Sequence, residues 1–168
     1  VSHDGASIRF HRTANASSTN GGTSSFDFTQ TGGETDLTGL GITGSVLING
    51  GTLTGTGIIT GNLTNNGGFI APGHSPGVIA VTGNFIQGAQ GMLILEDGGA
   101  APSLFDQLQI AGTATLGGSL DVRGINDYQP SAATFFNPLS YSSASGSFAS
   151  VSSNATIALA ATGALATN

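Results

Sequence analysis

A glycine-centred phrase recurs four times in the middle of the chain. It reads Ile42-Thr43-Gly44-Ser45-Val46, Ile59-Thr60-Gly61-Asn62-Leu63, Val81-Thr82-Gly83-Asn84-Phe85 and Ile110-Ala111-Gly112-Thr113-Ala114. The first two copies run on to Gly50-Gly51 and Gly67-Gly68, the last to Gly117-Gly118; the third is stretched, with Gly88 and Gly91 standing apart. Successive anchors lie 17, 22 and 29 residues apart. A drifting period of roughly 20 residues, made of short β-rich strokes ending in Gly or Asn, is the signature of a β-solenoid. Coils of one period predict that Gly44, Gly61, Gly83 and Gly112 occupy equivalent corners and stack on one another.

The residues between the anchors agree with an all-β fold. Thr, Asn and 28 glycines make long helices improbable, since Gly costs about 1 kcal/mol against Ala inside a helix. The strokes include Val46-Leu47-Ile48, Thr52-Leu53-Thr54, Ile58-Ile59-Thr60, Phe69-Ile70, Val78 to Val81 and Met92 to Leu95. In Leu120-Asp121-Val122-Arg123 the alternation points Leu120 and Val122 inward and leaves Asp121 and Arg123 in solvent. The competing reading is an antiparallel β-sandwich, which short strands with Gly turns also build.

The 168 residues suit one domain. Residues 1–36 read as an N-terminal lead-in with two alternating strokes, at residues 7–11 and 25–29, separated by a Ser/Asn/Gly-rich loop. A further turn is expected at Thr31-Gly32-Gly33-Glu34. The repetitive body spans residues 37–123, enough for four or five coils. Asp97-Gly98-Gly99-Ala100-Ala101-Pro102-Ser103 breaks its rhythm as a protruding loop. Residues 124–168 form a C-terminal cap with strokes at Leu139-Ser140-Tyr141, Gly146-Ser147-Phe148 and Ala155 to Leu159.

Charge excludes several functions. There is no lysine and there are three arginines against nine acids, for a net charge of −6. Nucleic-acid binding needs a cationic stripe that displaces counterions, and none exists. No polybasic or amphipathic anchor is present, and the longest apolar stretch, from Ile157, is too short to span a bilayer. Without cysteine, stability depends on neither disulfides nor thiolate metal ligands. A first residue of Val rather than Met is expected of a processed N-terminus.

From Gly51 onward the text becomes specific. The succession Gly51-Thr52-Leu53-Thr54-Gly55-Thr56-Gly57, Gly61-Asn62-Leu63-Thr64-Asn65-Asn66-Gly67 and Ala71-Pro72-Gly73-His74-Ser75-Pro76-Gly77 resembles the passenger domains of autotransporter-type bacterial surface proteins. So do Phe105-Asp106-Gln107-Leu108, the run from Gly112 to Leu120, and the later Ser145-Gly146-Ser147-Phe148. The resemblance covers about two thirds of the chain. It implies a right-handed parallel β-helix exported to the cell surface. Two departures matter. No outer-membrane barrel follows the cap, which leaves the export route open, and His74 stands where the family turn usually has Asn.

Ser75 beside His74 suggests nucleophilic catalysis, but adjacent residues rarely place a hydroxyl on an imidazole, and the flanking prolines and glycines suffice for a rigid corner. Glu96, Asp97 and Asp106 invite Ca²⁺, although no EF-hand or calcium nonapeptide is present, and a solvated loop rim explains them. Asp4 with His3 and His11 suggests a transition metal; incidental histidines in a polar segment account for them. Asn15-Ala16-Ser17, Asn62-Leu63-Thr64 and Asn154-Ala155-Thr156 match the glycosylation pattern by chance in so Asn-rich a chain. Polysaccharide hydrolysis needs paired carboxylates. The body holds only Glu96, Asp97, Asp106 and Asp121, with none between residues 37 and 87. The expectation is therefore no catalytic residue, cofactor or metal. The chain reads as a non-enzymatic extracellular structural protein that joins end to end with copies of itself through residues 1–36 and 139–168. The alternatives are an autotransporter-passenger-type adhesin binding surface glycans or a host surface and, third, a β-helix polysaccharide enzyme.

Overall fold

The computed structural model describes residues 27–130 and 136–154, together with the backbone of two short strands, β1 (Ser2–His3) and β2 (Ile8–Arg9). The fold is all-β with mostly parallel sheets. From β3 onward every ladder between strands is parallel, which excludes the antiparallel pairing of a sandwich for this region. Among the described strands β1 and β2 pair antiparallel, isolated antiparallel bridges join Gly55 to Gly73 and Asp97 to Phe105, and β1 lies against β3.

Grouped by partner, the strands visit three ladders in turn. In the first pass β3 (Phe28–Asp36) supplies two ladders, bending at Thr31 to Glu34 where its register shifts, and β4 (Leu40–Thr43) supplies the third. In the second pass β5 (Val46–Gly55) again serves two ladders and β6 (Gly57–Thr60) the third. The third pass is β7 (Leu63–Asn65), β8 (Phe69–Pro72) and β9 (Val78–Val81). The fourth is β10 (Phe85–Gln87), β11 (Met92–Asp97) and β12 (Gln107–Ile110). The fifth is β13 (Thr113–Leu116), β14 (Ser119–Gly124) and β15 (Leu139–Ser140). The described chain ends with β16 (Ser143–Gly146) and β17 (Ser150–Ser153).

The ladders begin and end outside the repetitive stretch from which residues 37–123 were read. Phe28–Asp36 already carries the first pass, and β15, β16 and β17 continue the same registers after residue 124. The lead-in stroke at residues 7–11 contains β2, while the expected turn at residues 31–34 is the bend inside β3. The stroke at Ala155 to Leu159 lies outside the described residues, as do Asn15, His11 and Asp4.

Alternation fills the interior. Leu53, Ile70, Leu93 and Leu120 occupy one inward row and Phe28, Val46, Leu63, Phe85 and Ala114 another, all buried. Each large aliphatic side chain placed there contributes about 1.5–3 kcal/mol. Leu120 and Val122 point inward as the alternation requires, with Arg123 exposed. Buried amides brace the corner between the first two ladders. Gln30 Nε2 donates to the carbonyls of Gly33 and Thr52, Asn65 Nδ2 to those of Gly68 and Met92, and Gln87 Nε2 to those of Gly117 and Ser119. Each amide thus ties its own pass to the next one, satisfying carbonyls that a bend would otherwise leave without a ladder partner.

The four anchor glycines do stack at the corner between the third and first ladders. Gly83 N–H donates to the Gly61 carbonyl at 2.9 Å and Gly112 N–H to that of Gly83 at 3.0 Å. A side chain on Gly61 would run into the carbonyl of Gly44, and one on Gly83 into that of Gly61. Glycine is needed here for the close approach of backbone to backbone. Beside this stack, Asn62 Oδ1 accepts from Asn84 N–H at 2.8 Å and Asn84 Oδ1 from Thr113 N–H at 2.9 Å.

Candidate functional site

Asp36, His74, Ser75, Glu96, Asp97 and Asp106 gather at the remaining corner, between the second and third ladders. In the second pass that corner is the single residue Thr56, between β5 and β6. In the third it is the Pro72-Gly73-His74-Ser75-Pro76-Gly77 turn, and in the fourth a longer loop, residues 98–106, holding a 3-10 turn at Pro102–Leu104. Gly73 (φ 77°) and Ser75 (φ 66°) both lie in the left-handed region, and the Ser75–Pro76 bond is cis. Gly73 N–H donates to the Gly55 carbonyl, and Thr54 Oγ1 to the Gly73 carbonyl. The expected rigid corner is what forms.

Because the second pass is so short here, the turn of the third pass reaches over it. His74 Nε2 lies 3.0 Å from Asp36 Oδ2 at the end of β3. Both groups are well exposed. The Thr38 N–H, above all, and then the His74 hydrogen bond hold the Asp36 carboxyl down at about 2; the same contact raises His74. Ser75 Oγ turns the other way and donates to Glu96 Oε2 in the fourth pass. Serine and histidine are thus each bound to a separate acid, so no hydroxyl-to-imidazole relay exists between them.

Asp106 is the most constrained group of the cluster. Only 1% exposed, it accepts from Gly77 N–H through Oδ1 and from Glu96 N–H through Oδ2, both at 2.8 Å. One carboxylate therefore fastens the turn of the third pass, the end of β11 and the start of β12 together. Burial pushes its carboxyl up to about 6, although the two N–H bonds pull the other way. Such a value would suit a general acid. A group with both oxygens committed to backbone and no solvent access has no route to a substrate.

Asp97 is also buried; its Oδ1 accepts from Gly99 N–H at 3.1 Å, its Oδ2 has no partner, and burial raises its carboxyl. The solvated rim expected of Asp97 and Asp106 is thus corrected: both side chains point inside, and the loop between them carries the exposure. Glu96, Asp97 and Asp106, for which the sequence disfavours calcium, point to separate partners. Among the described residues no set of three His, Cys, Asp or Glu side chains converges on a point that could hold a metal. Asn62, offered by the glycosylation pattern, is exposed but bound into the asparagine row. Asn154 accepts from Gly124 N–H at 2.7 Å.

Residue types alone did not reveal the Asp106 clamp, though the alternation held a clue. Asp106, Leu108 and Ile110 share one parity and are all buried. The Asp36–His74 and Ser75–Glu96 pairs join residues 38 and 21 positions apart, which leaves no local pattern.

Comparison with known proteins adds no identification: no protein-family model, curated protein or solved structure matches the chain. The site must be read from its own geometry. That geometry is a brace.

Proposed function

We propose that this chain is a non-enzymatic structural subunit of an extracellular or cell-surface bacterial fibre or matrix. In this reading the three ladders wind into a right-handed parallel β-helix of the autotransporter-passenger kind, and copies associate end to end. The observation that carries it is the last pass. Each ladder stops on a strand, β15, β16 or β17, with no described strand on its outer side. A parallel sheet edge is a template for another strand unless charge, proline or a cover blocks it. Strands β15, β16 and β17 contain no charged residue and no proline. The polar cluster supports the same reading, since its acids and its histidine engage neighbouring passes or backbone amides.

Negative-stain electron microscopy and light scattering over a range of concentrations test the proposal. Filaments whose length grows with concentration are expected. Monomers at every concentration would overturn self-association, and turnover of any polysaccharide would overturn the non-enzymatic assignment.

One observation favours the adhesin reading. The third ladder carries no charged residue in any of its strands, and Leu40 and Ile58 are exposed there beside Thr43 and Thr60. A flat, uncharged face of this composition suits the stacking of neutral sugars. Binding on a glycan array that is lost in an Ile58→Glu variant would support it.

A further inference from the structure

The two ends of the ladder stack differ in a way that names the joint, if the fibre reading holds. At the first pass the inward residues Phe28 and Leu37 are buried. At the last, Val151 continues the row of Leu53, Ile70, Leu93 and Leu120 yet is 47% exposed. Among the described residues, Val151 is the inward apolar side chain that an end of the stack leaves uncovered.

The ladder registers can be followed from end to end. Phe28 shares its row with Ala144, so Asp27 falls in the row of Ser143. Glu34 falls in the row of Ser150. Two of the acids of the first pass therefore match two exposed serines of the last, and the bulky Phe28 matches the small Ala144. Ser143 and Ser150 share one hydroxyl contact each with the preceding pass, to Thr113 at 2.9 Å and Ser119 at 2.8 Å, in which either oxygen can be the donor. A hydroxyl that accepts there has its proton free for a group on the other side. The chain already stacks serine on acid within a ladder, where Ser152 Oγ donates to Asp121 Oδ1 at 2.7 Å and holds that carboxyl below its ordinary range.

We propose that the last pass of one copy receives the first pass of a second copy in continuous parallel register, with Ser143 against Asp27, Ser150 against Glu34 and Phe28 covering Ala144. The inference rests on the fibre reading and fixes its partner, polarity and register. Since β1 lies against β3, the β1–β2 pair must give way for the joint to close.

The absence of native cysteine allows a direct test. Two full-length variants, Ser150→Cys and Glu34→Cys, are oxidised separately and as a mixture. Directly paired positions on neighbouring parallel strands lie within the span a disulfide bridges. The mixture is expected to yield roughly tenfold more covalent dimer than either variant alone, because docking raises the local thiol concentration. Covalent dimer from Ser150→Cys alone would show a tail-to-tail joint and overturn the proposal. Wild-type filaments without cross-linking in the mixture would overturn the register while leaving the fibre standing. Wild-type monomers at every concentration, again without cross-linking, would remove both.

Discussion

Two corners of this molecule follow opposite rules. Between the third and first ladders, Gly44, Gly61, Gly83 and Gly112 press backbone on backbone, and the connection stays two or three residues long in every pass. Between the second and third ladders the connection grows from Thr56 alone to residues 73–77, then 98–106, then 125–138. Nearly all the drift of the repeat, 17 to 22 to 29 residues, is therefore absorbed at one edge, with a single further residue inserted between β10 and β11. A corner built on close approach has no room to vary, and a corner that faces water does. The loops there are not left loose, however: Asp106 clamps one turn to the next pass, and Phe136 meets Phe105 and Tyr128 edge to face at 5.7 and 6.2 Å.

The strongest attack on this contrast is Gly61→Val. Its side chain would meet the Gly44 carbonyl, and neither backbone can retreat without parting a ladder, so a loss of ~4 kcal/mol or more is expected in urea unfolding. A loss under ~1 kcal/mol would mean the tight corner is as tolerant as the open one. Next comes Asp106→Ala, which strands the buried Gly77 N–H and the half-buried Glu96 N–H and should cost ~2–4 kcal/mol near pH 4.

The same residue sets a pH dependence. Its folded value of about 6 lies above the unfolded 3.8, so between those values the folded chain holds the extra proton. Its contribution is then full below the unfolded value and is lost as pH rises through the folded one, a change of at most ~3 kcal/mol. Asp97, raised by burial, acts in the same direction. Asp36 acts oppositely: its contribution is present above its unfolded value of 3.8 and is lost as pH falls towards about 2. Unfolding measured from about pH 4 to about pH 6 separates the two windows. The gap between wild type and Asp106→Ala should narrow as pH rises, and a constant gap would remove Asp106 as its source.

The smallest effects belong to the exposed rim. A short Gly-Ser insertion after Ala101 should cost under ~1 kcal/mol, as loop closure grows slowly with length. His74→Ala should leave the denaturation midpoint nearly unchanged at neutral pH, since the Asp36 pair stands in water. A large loss from either would show that the open corner is as exacting as the glycine stack.

Much of the fold was legible because its determinants are local. The anchor glycines, the alternation through Leu120 and Val122, and the Pro72 to Gly77 corner each announce themselves within a few residues. The first pass was not legible, because Phe28–Asp36 lacks the anchor phrase and bends within one strand. Nor were the clamps. Gln30, Asn65, Gln87 and Asp106 look like ordinary surface residues until the ladders bring carbonyls and amides 20 to 30 positions away beside them. A buried polar residue in such a fold is legible only once the period that supplies its partner is known.

The regular stacking of one pass on the next also bears on how the chain comes to be folded. Each ladder partner lies one pass back, never at the far end of the molecule. Those partners still lie 17 to 31 residues away in sequence, so each closure costs chain entropy, but a stack of nearest neighbours can grow from either end. A strand that has just emerged finds its template already in place, so synthesis can set the order of folding. The amides of Gln30, Asn65 and Gln87 each complete their bonds only once the following pass is in place, since each donates to a carbonyl of that pass.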